Sequence, residues 1–273
     1  MAVTIAEISR LRTMTGAGMM DCKKALTEAN NDFDEAVKII RERGKAIAAK
    51  RSDREASEGC VLAGSNGGFA AVLALKCETD FVAQNADFVA LTQSILDVAL
   101  TQQPDTLDDL KKLPINGKDI ASLVTERSGV TGEKMELDYY EHVKDAFVIT
   151  YIHPGNKLAS IVSFNKDTEY QVARDVAMQV AAMNPISLDR KSVPASVIEN
   201  ELEIGREKAR QEGKPENMLD KIAQGRLNKF YQESTLVEQA FIKDAKMTIE
   251  QYLKSNDKNL KISDFKRVTL NEE

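Results

Sequence analysis

The residues that usually carry enzyme chemistry are scarce in this chain, and the few present are badly placed for it. The two histidines, His142 and His153, have no cysteine or histidine partner at metal-ligand spacing, so no zinc-type site is expected. The three cysteines, Cys22, Cys60 and Cys77, are odd in number and scattered, which argues against a disulfide framework and for a reducing compartment. Glu78 follows Cys77; a neighbouring carboxylate raises a thiol pKa, so Cys77 is not read as a nucleophile. No Gly-x-x-x-x-Gly-Lys-Ser/Thr phosphate loop occurs, because Gly205 and the Gly213-Lys214 pair are wrongly separated for one. A nucleophile elbow is missing too, and no catalytic pair can be picked out among 43 acidic side chains. The chain reads as a non-enzyme with no cofactor and no metal.

Long hydrophobic runs are missing as well. No stretch approaches the roughly 20 apolar residues of a membrane span. The opening residues, Met1 to Ile8, lack the basic region and apolar segment of a secretory signal, so a cytoplasmic protein without membrane partners is expected. Lys and Arg number 37 against 43 Asp and Glu, a net charge of −6 that weighs against strong nucleic-acid binding.

What is present is an ordinary globular composition, 42% hydrophobic and 29% charged, in a chain long enough for two or three modest cores. Its first part reads as a three-helix unit. Ile5, Ile8 and Leu11 space one helix, ending at Thr15-Gly16-Ala17-Gly18. Asp21 stands as the N-cap of a second helix over 22–29, with Met19 and Met20 on the loop before it. Asn30-Asn31-Asp32 caps a third, with Phe33, Ala36, Val37 and Ile40 on one face and an end at Gly44. By spacing alone the two methionines serve equally well as adaptable partner contacts or as a cover for the small core. The basic stretch 41–54 (Arg41, Arg43, Lys45, Lys50, Arg51 and Arg54 against Glu42 and Asp53) has no interleaved aromatic on which bases stack, so it is read as a linker.

The remainder repeats itself. Residues 59–75 read as strand, glycine turn, strand, and residues 146–164 read the same way. An amphipathic helix follows each hairpin, over 88–99 in one copy and 172–182 in the other. Aligning Ala71 with Ala159 gives an offset of 88 residues, while aligning Phe88 with Val172 gives 84. The first copy thus holds about four additional residues, and they fall around Thr79, Asp80, Phe81 and Val82. A strand-to-helix junction normally needs about two to six residues. An insertion that the second copy does without reads as a functional loop, with Phe81 either tucked into its own core or held out for another molecule. Downstream, residues 197–211 form a charged helix, Gly213-Lys214-Pro215 a breaker, and residues 216–230 a second helix, an antiparallel pair whose charges read as a solvated face. A last helix is expected near 247–254.

Two long motifs, Leu11 to Ala29 and Thr79-Asp80-Phe81-Val82-Ala83, closely resemble the elongation factor Ts family, and the likeness extends over essentially the whole chain. Shorter matches are Gly213-Lys214-Pro215-Glu216, residues 225–230, and Tyr151-Ile152-His153-Pro154-Gly155. The usual strand motif of the family is eroded at residues 264–268. The resemblance implies an α+β fold: a ubiquitin-associated-like three-helix domain, then a duplicated antiparallel hairpin-plus-helix core with a protruding helical pair. It implies boundaries at 1–54 for the helical domain and linker, 55–140 and 141–231 for the two core subdomains (helical hairpin at about 190–230), and 232–273 for a C-terminal module. It further implies a guanine-nucleotide exchange factor whose partner is elongation factor Tu, GDP-bound or nucleotide-free. In that family the stretch matching Thr79, Asp80, Phe81 and Val82 dislodges Mg²⁺ from the partner, with Phe81 as the wedge. Met19 and Met20 then become contacts of the helical domain, and His153 a further partner contact. The chain itself would bind no nucleotide. An adaptor or RNA-associated protein that docks through the same helical domain is the alternative.

Overall fold

Three helices open the computed structural model, which describes residues 3–271. Helix α1 (Ile5–Thr15) starts at Thr4 with a capping box: Glu7 N donates to Thr4 Oγ1 and Thr4 N donates back to Glu7 Oε2. It stops at Gly16, which takes the left-handed conformation (φ 70°). Ile8 and Leu11 are buried, whereas Ile5, on the same expected stripe, is 76% exposed in the first turn. Helix α2 (Met19–Glu28) begins three residues earlier than expected. Gly18 is its N-cap, and Asp21 lies inside the first turn, where an acid favours the positive end of the helix dipole. Helix α3 (Phe33–Lys50) is capped as expected by Asp32, whose carboxylate accepts from Glu35 N. Ile8, Leu11, Cys22, Ala25, Leu26 and Ala36 close the core of these three helices.

Gly44 does not end α3, and the basic stretch is helical as far as Lys50. The helix continues to Lys50 and lies against α7 (Ile120–Thr131). The two helices touch backbone to backbone: a Cβ on Gly129 would sit 2.1 Å from Gly44 Cα. Glycine serves close approach at this position, a use that the sequence pattern cannot distinguish from a C-cap. Arg41 and Lys118 both pair with Glu126 beside the contact, at 3.3 and 2.7 Å.

Two three-stranded antiparallel sheets form the body. Strands β1 (Glu58–Asn66) and β2 (Phe69–Cys77) form a hairpin closed by Gly67 and Gly68, with Gly67 at φ 60°. After α4 (Asp80–Ala83), α5 (Ala86–Gln102), α6 (Leu107–Lys112), the small β3–β4 hairpin (Pro114–Ile115, Lys118–Asp119) and α7, strand β5 (Met135–Lys144) returns to pair with β2. The second sheet repeats the plan. Strands β6 (Phe147–Ile152) and β7 (Leu158–Phe164) form the hairpin, α8 (Tyr170–Met183) follows, and β10 (Ile262–Thr269) pairs with β7. The duplication therefore extends to a third strand in each copy. The eroded motif at 264–268 still builds a regular strand, apart from a bulge between Ile262 and Asp264.

Strands β2 and β7 are central, and their faces alternate between cores. Leu73, Leu75 and Cys77 point to a cluster shared with α5, α6 and α7. Ala70, Val72 and Ala74 point the other way and meet Ala159 and Ile161 of β7, so the two sheets stack face to face. Val162 and Phe164 of β7 face α8 and the C-terminal helix α11 (Ile249–Asn256). The order of layers is helices, sheet, sheet, helices. Helices α9 (Ala195–Gln211) and α10 (Leu219–Ser234) pack antiparallel on each other, with Gly205 against Ala223 and ion pairs Arg206–Asp220 and Arg226–Glu212 across the seam. The pair β8 (Ala240–Phe241) and β9 (Asp244–Thr248) precedes α11. This is the α+β architecture the sequence predicts. Strand β5 runs through the expected boundary at 140, and β10 comes to the second sheet from the C-terminal segment. Among the described residues no helix is long and apolar enough to cross a membrane.

The two helical glycines Gly129 and Gly225 should respond oppositely to alanine. Gly225 on α10 has open space around its absent Cβ, so Gly225→Ala should stabilise by up to about 1 kcal/mol through helix propensity. Gly129→Ala must push α3 and α7 apart and should destabilise by about 1–3 kcal/mol despite the same gain in propensity. Denaturant midpoints of the two variants check both signs.

Candidate functional site: a braced turn that presents Phe81

Between β2 and α5 the first copy has eight residues (78–85), where the second has five (165–169) between β7 and α8. The extra chain is not an open loop as expected; residues 80–83 form one helical turn, α4. Thr79 is its N-cap, with Oγ1 accepting from Val82 N at 3.4 Å. Successive helical side chains point about 100° apart, so the turn sorts its residues. Val82 packs against the first core and Ala83 is buried in it, while Asp80 and Phe81 face solvent. Phe81 is 85% exposed, the most exposed large apolar side chain described. Of the two readings of this phenylalanine, the structure adopts the outward one and tucks in the next residue instead.

A four-residue helix has no stability of its own, and the turn is held from behind by residues the sequence analysis did not single out. Both oxygens of Glu133 are taken by Thr79: its hydroxyl donates at 2.6 Å and its backbone N–H at 3.1 Å. Glu78 accepts from Lys134 N at 2.6 Å and from Arg51 Nη1 at 2.9 and 3.0 Å. Gly132, the left-handed cap of α7 (φ 73°), turns the chain so that Glu133 and Lys134 face this strand end. The Lys134 N–H, then the Arg51 guanidinium, hold the Glu78 carboxyl below the usual carboxylate range. The one legible signal for these braces was Gly132 at the end of a helical pattern. Which strand end it faces is set by folding.

Cys77 lies just before the turn, buried, with Sγ donating to Thr79 O. Its thiol is pushed up to about 12, first by burial and then by the Glu133 carboxylate. The inert thiol was expected, but the cause is burial and Glu133 rather than Glu78.

His153 is exposed on the β6–β7 turn, with Nδ1 3.0 Å from Tyr151 Oη. That turn is tied to β1 through Val61 N donating to Asn156 O at 2.7 Å and a Lys157–Glu58 ion pair at 2.7 Å. The hydrogen bond to Glu58 is the main cause that raises the Lys157 pKa. Met19 and Met20 stand in the first turn of α2 rather than on a loop, 38% and 63% exposed, and do not roof the small core. They belong to a separate surface from Phe81, linked to it through α3, whose C-cap Arg51 is the brace on Glu78.

Fold and site together define an α+β protein that holds one bulky apolar side chain outward on a short, braced turn. Residues 78–272, which include this turn, match the family model described as Elongation factor TS. The chain is 58% identical to an elongation factor Ts of Porphyromonas gingivalis over 272 residues, 99% of each chain. It is 55% identical to one of Azobacteroides pseudotrichonymphae over 274 residues and 46% identical to one of Phocaeicola vulgatus over 330, covering the whole of both chains in each case. The chain belongs to the elongation factor Ts family of translation elongation factors.

The Glu78 brace carries a pH dependence of stability. A carboxyl held below its unfolded value, about 4.3, contributes stability that is fully present above that value. The contribution is lost as pH falls through the folded pKa. Glu78→Gln should therefore be less stable than the parent at pH 7. The gap should begin to narrow below the unfolded value of about 4.3 and close only once pH has fallen through the lowered folded pKa, where the parent glutamic acid becomes neutral as well. Denaturant midpoints of both proteins between about pH 3 and 7 check this.

Proposed function

We propose that this protein is a cytoplasmic guanine-nucleotide exchange factor for elongation factor Tu and performs no chemistry of its own. It binds the GDP complex, displaces Mg²⁺ from the partner, promotes GDP release and holds the nucleotide-free partner until GTP binds. The observation that carries this reading is the 85% exposure of Phe81 on a turn anchored from behind. The brace behind the turn, not exposure alone, sets this ring apart from other exposed apolar side chains and leaves it free to be buried by a partner. Phe81 acts as the wedge, Asp80 as its polar neighbour, and Thr79 and Val82 set the turn. Met19 and Met20 dock the N-terminal helical unit, residues 1–54, on the nucleotide-binding domain of the partner. His153 adds a contact from the second core subdomain.

The magnitudes require all of these surfaces. Mg²⁺ demands near-ideal octahedral geometry at about 2.0–2.1 Å, so a small displacement of its ligands weakens it sharply. Shifting a partner from 1:99 to 99:1 nucleotide-free needs about 5.5 kcal/mol of differential affinity. Burying one phenylalanine supplies roughly 1.5–3 kcal/mol. The wedge triggers release, and the rest of the differential comes from docking that favours the empty state. By reciprocity, GDP must weaken the complex as much as the complex weakens GDP.

Sub-stoichiometric amounts of the protein should accelerate release of a fluorescent GDP analogue from elongation factor Tu. Phe81→Ala should slow that release by roughly ten- to a hundred-fold with an unchanged melting temperature, because the ring makes no core contact. Normal release by a folded Phe81→Ala variant would remove the wedge role. No acceleration by the parent protein, with a complex that persists in GDP, would favour an adaptor.

A further inference from the structure

We propose that Glu133 is a positioning residue for the wedge: by holding Thr79 at both of its donors it sets the start of α4 and so the direction of Phe81. The inference rests on the exchange reading given above.

Both Glu133 oxygens end on one residue, at 2.6 Å from the Thr79 hydroxyl and 3.1 Å from its backbone N–H. Among the described residues, no lysine, arginine or histidine lies within ion-pair distance of this half-buried carboxylate. A carboxylate that only braced the fold would gain more from a cation. This one is spent on the residue that caps the turn, as the paired hydrogen bonds to a charged acceptor make for a strong, directional hold. Thr79 Oγ1 in turn accepts from Val82 N, so the chain of bonds runs from Glu133 through the cap into α4. Removing the carboxylate frees both donors of Thr79 and leaves the cap of this four-residue turn held only through its carbonyl, by Cys77 Sγ, and by α4 itself. Glu133 itself sits just after the α7 cap Gly132, on an element packed against α3. The direction of the wedge is thereby referred to α7 and α3, and α3 packs in turn on α2, which carries Met19 and Met20.

A positioning role makes two demands that a merely structural role does not. First, Glu133 must act through Phe81. Glu133→Ala should lower the maximal rate of catalysed GDP release by roughly tenfold at nearly unchanged half-saturating concentration, and Glu133→Gln, which keeps one acceptor, should retain an intermediate rate. In the Phe81→Ala background, Glu133→Ala should bring no further loss. Second, the order of the turn must depend on Glu133 in the isolated protein. The chain contains no tryptophan, so Phe81→Trp places a single indole on α4 whose time-resolved fluorescence anisotropy reads local motion. Adding Glu133→Ala should increase the amplitude of that motion, with far-UV circular dichroism and melting showing a folded protein.

Unchanged anisotropy on adding Glu133→Ala would overturn the proposal whatever the exchange assay reads. Additive losses from Glu133→Ala and Phe81→Ala would also overturn it, by placing the effect of Glu133 elsewhere. Loosened anisotropy together with no exchange by the parent protein would uphold the positioning of the turn and defeat the exchange reading instead.

Discussion

Everything in this molecule is arranged around two strands that are buried on both faces. Strands β2 and β7 are the centres of their sheets, and the sheets stack through Val72, Ala74, Ala159 and Ile161. That stacking leaves each sheet one outer face, which helices must cover: α5 to α7 on one side, α8 and α11 on the other. Where β2 ends, at Cys77, the chain has to turn from the interior of the sandwich to its helical layer within a few residues. The exposed phenylalanine hangs from that turn. Its position in space is inherited from the most buried strand in the protein.

The turn is an unstable element made dependable by stable neighbours. Three segments far apart in sequence converge on it: Arg51 after α3, Glu78 and Thr79 after β2, and Glu133 and Lys134 after α7. The glycine contact between α3 and α7 sets the spacing between two of those three. The N-terminal helices, the brace and the turn that carries Phe81 are therefore joined by direct contacts between rigid elements, the usual condition for holding a side chain in a fixed direction. The exposed ion pairs on the α9–α10 hairpin are of another kind. They are solvated and individually weak, and suit a projecting arm rather than an anchor.

Much of the fold was legible because it rests on local rules. Hairpins showed as apolar runs around glycine turns, Asp32 showed as a cap, and the offset between the copies located the insertion at 79–82. The local rules failed wherever two residues mean different things in different surroundings. Gly44 looked like a helix end and is a point of close helix contact. Asp21 looked like a cap and sits within the first turn, since glycine at 18 already supplied the extended entry. The basic stretch looked like a linker because nothing in it shows that Arg51 will meet Glu78, 27 residues away. Strands β5 and β10 escaped notice as members of the repeat because they are edge strands with mixed, partly exposed sides.

By itself the sequence determined the two hairpins, the main helices, the duplication, the place of the insertion at 79–82 and the family, since periodicity, caps, turns and motifs are properties of short stretches. Tertiary structure alone decided that Phe81 faces outward while Val82 faces in. It also decided that the stretch is a helical turn rather than a loop, and that Glu78 and Glu133 hold it. The reason is physical. A four-residue helix has no intrinsic stability, so its existence and direction come from partners 27 to 56 residues away in sequence, which only folding brings within hydrogen-bond distance.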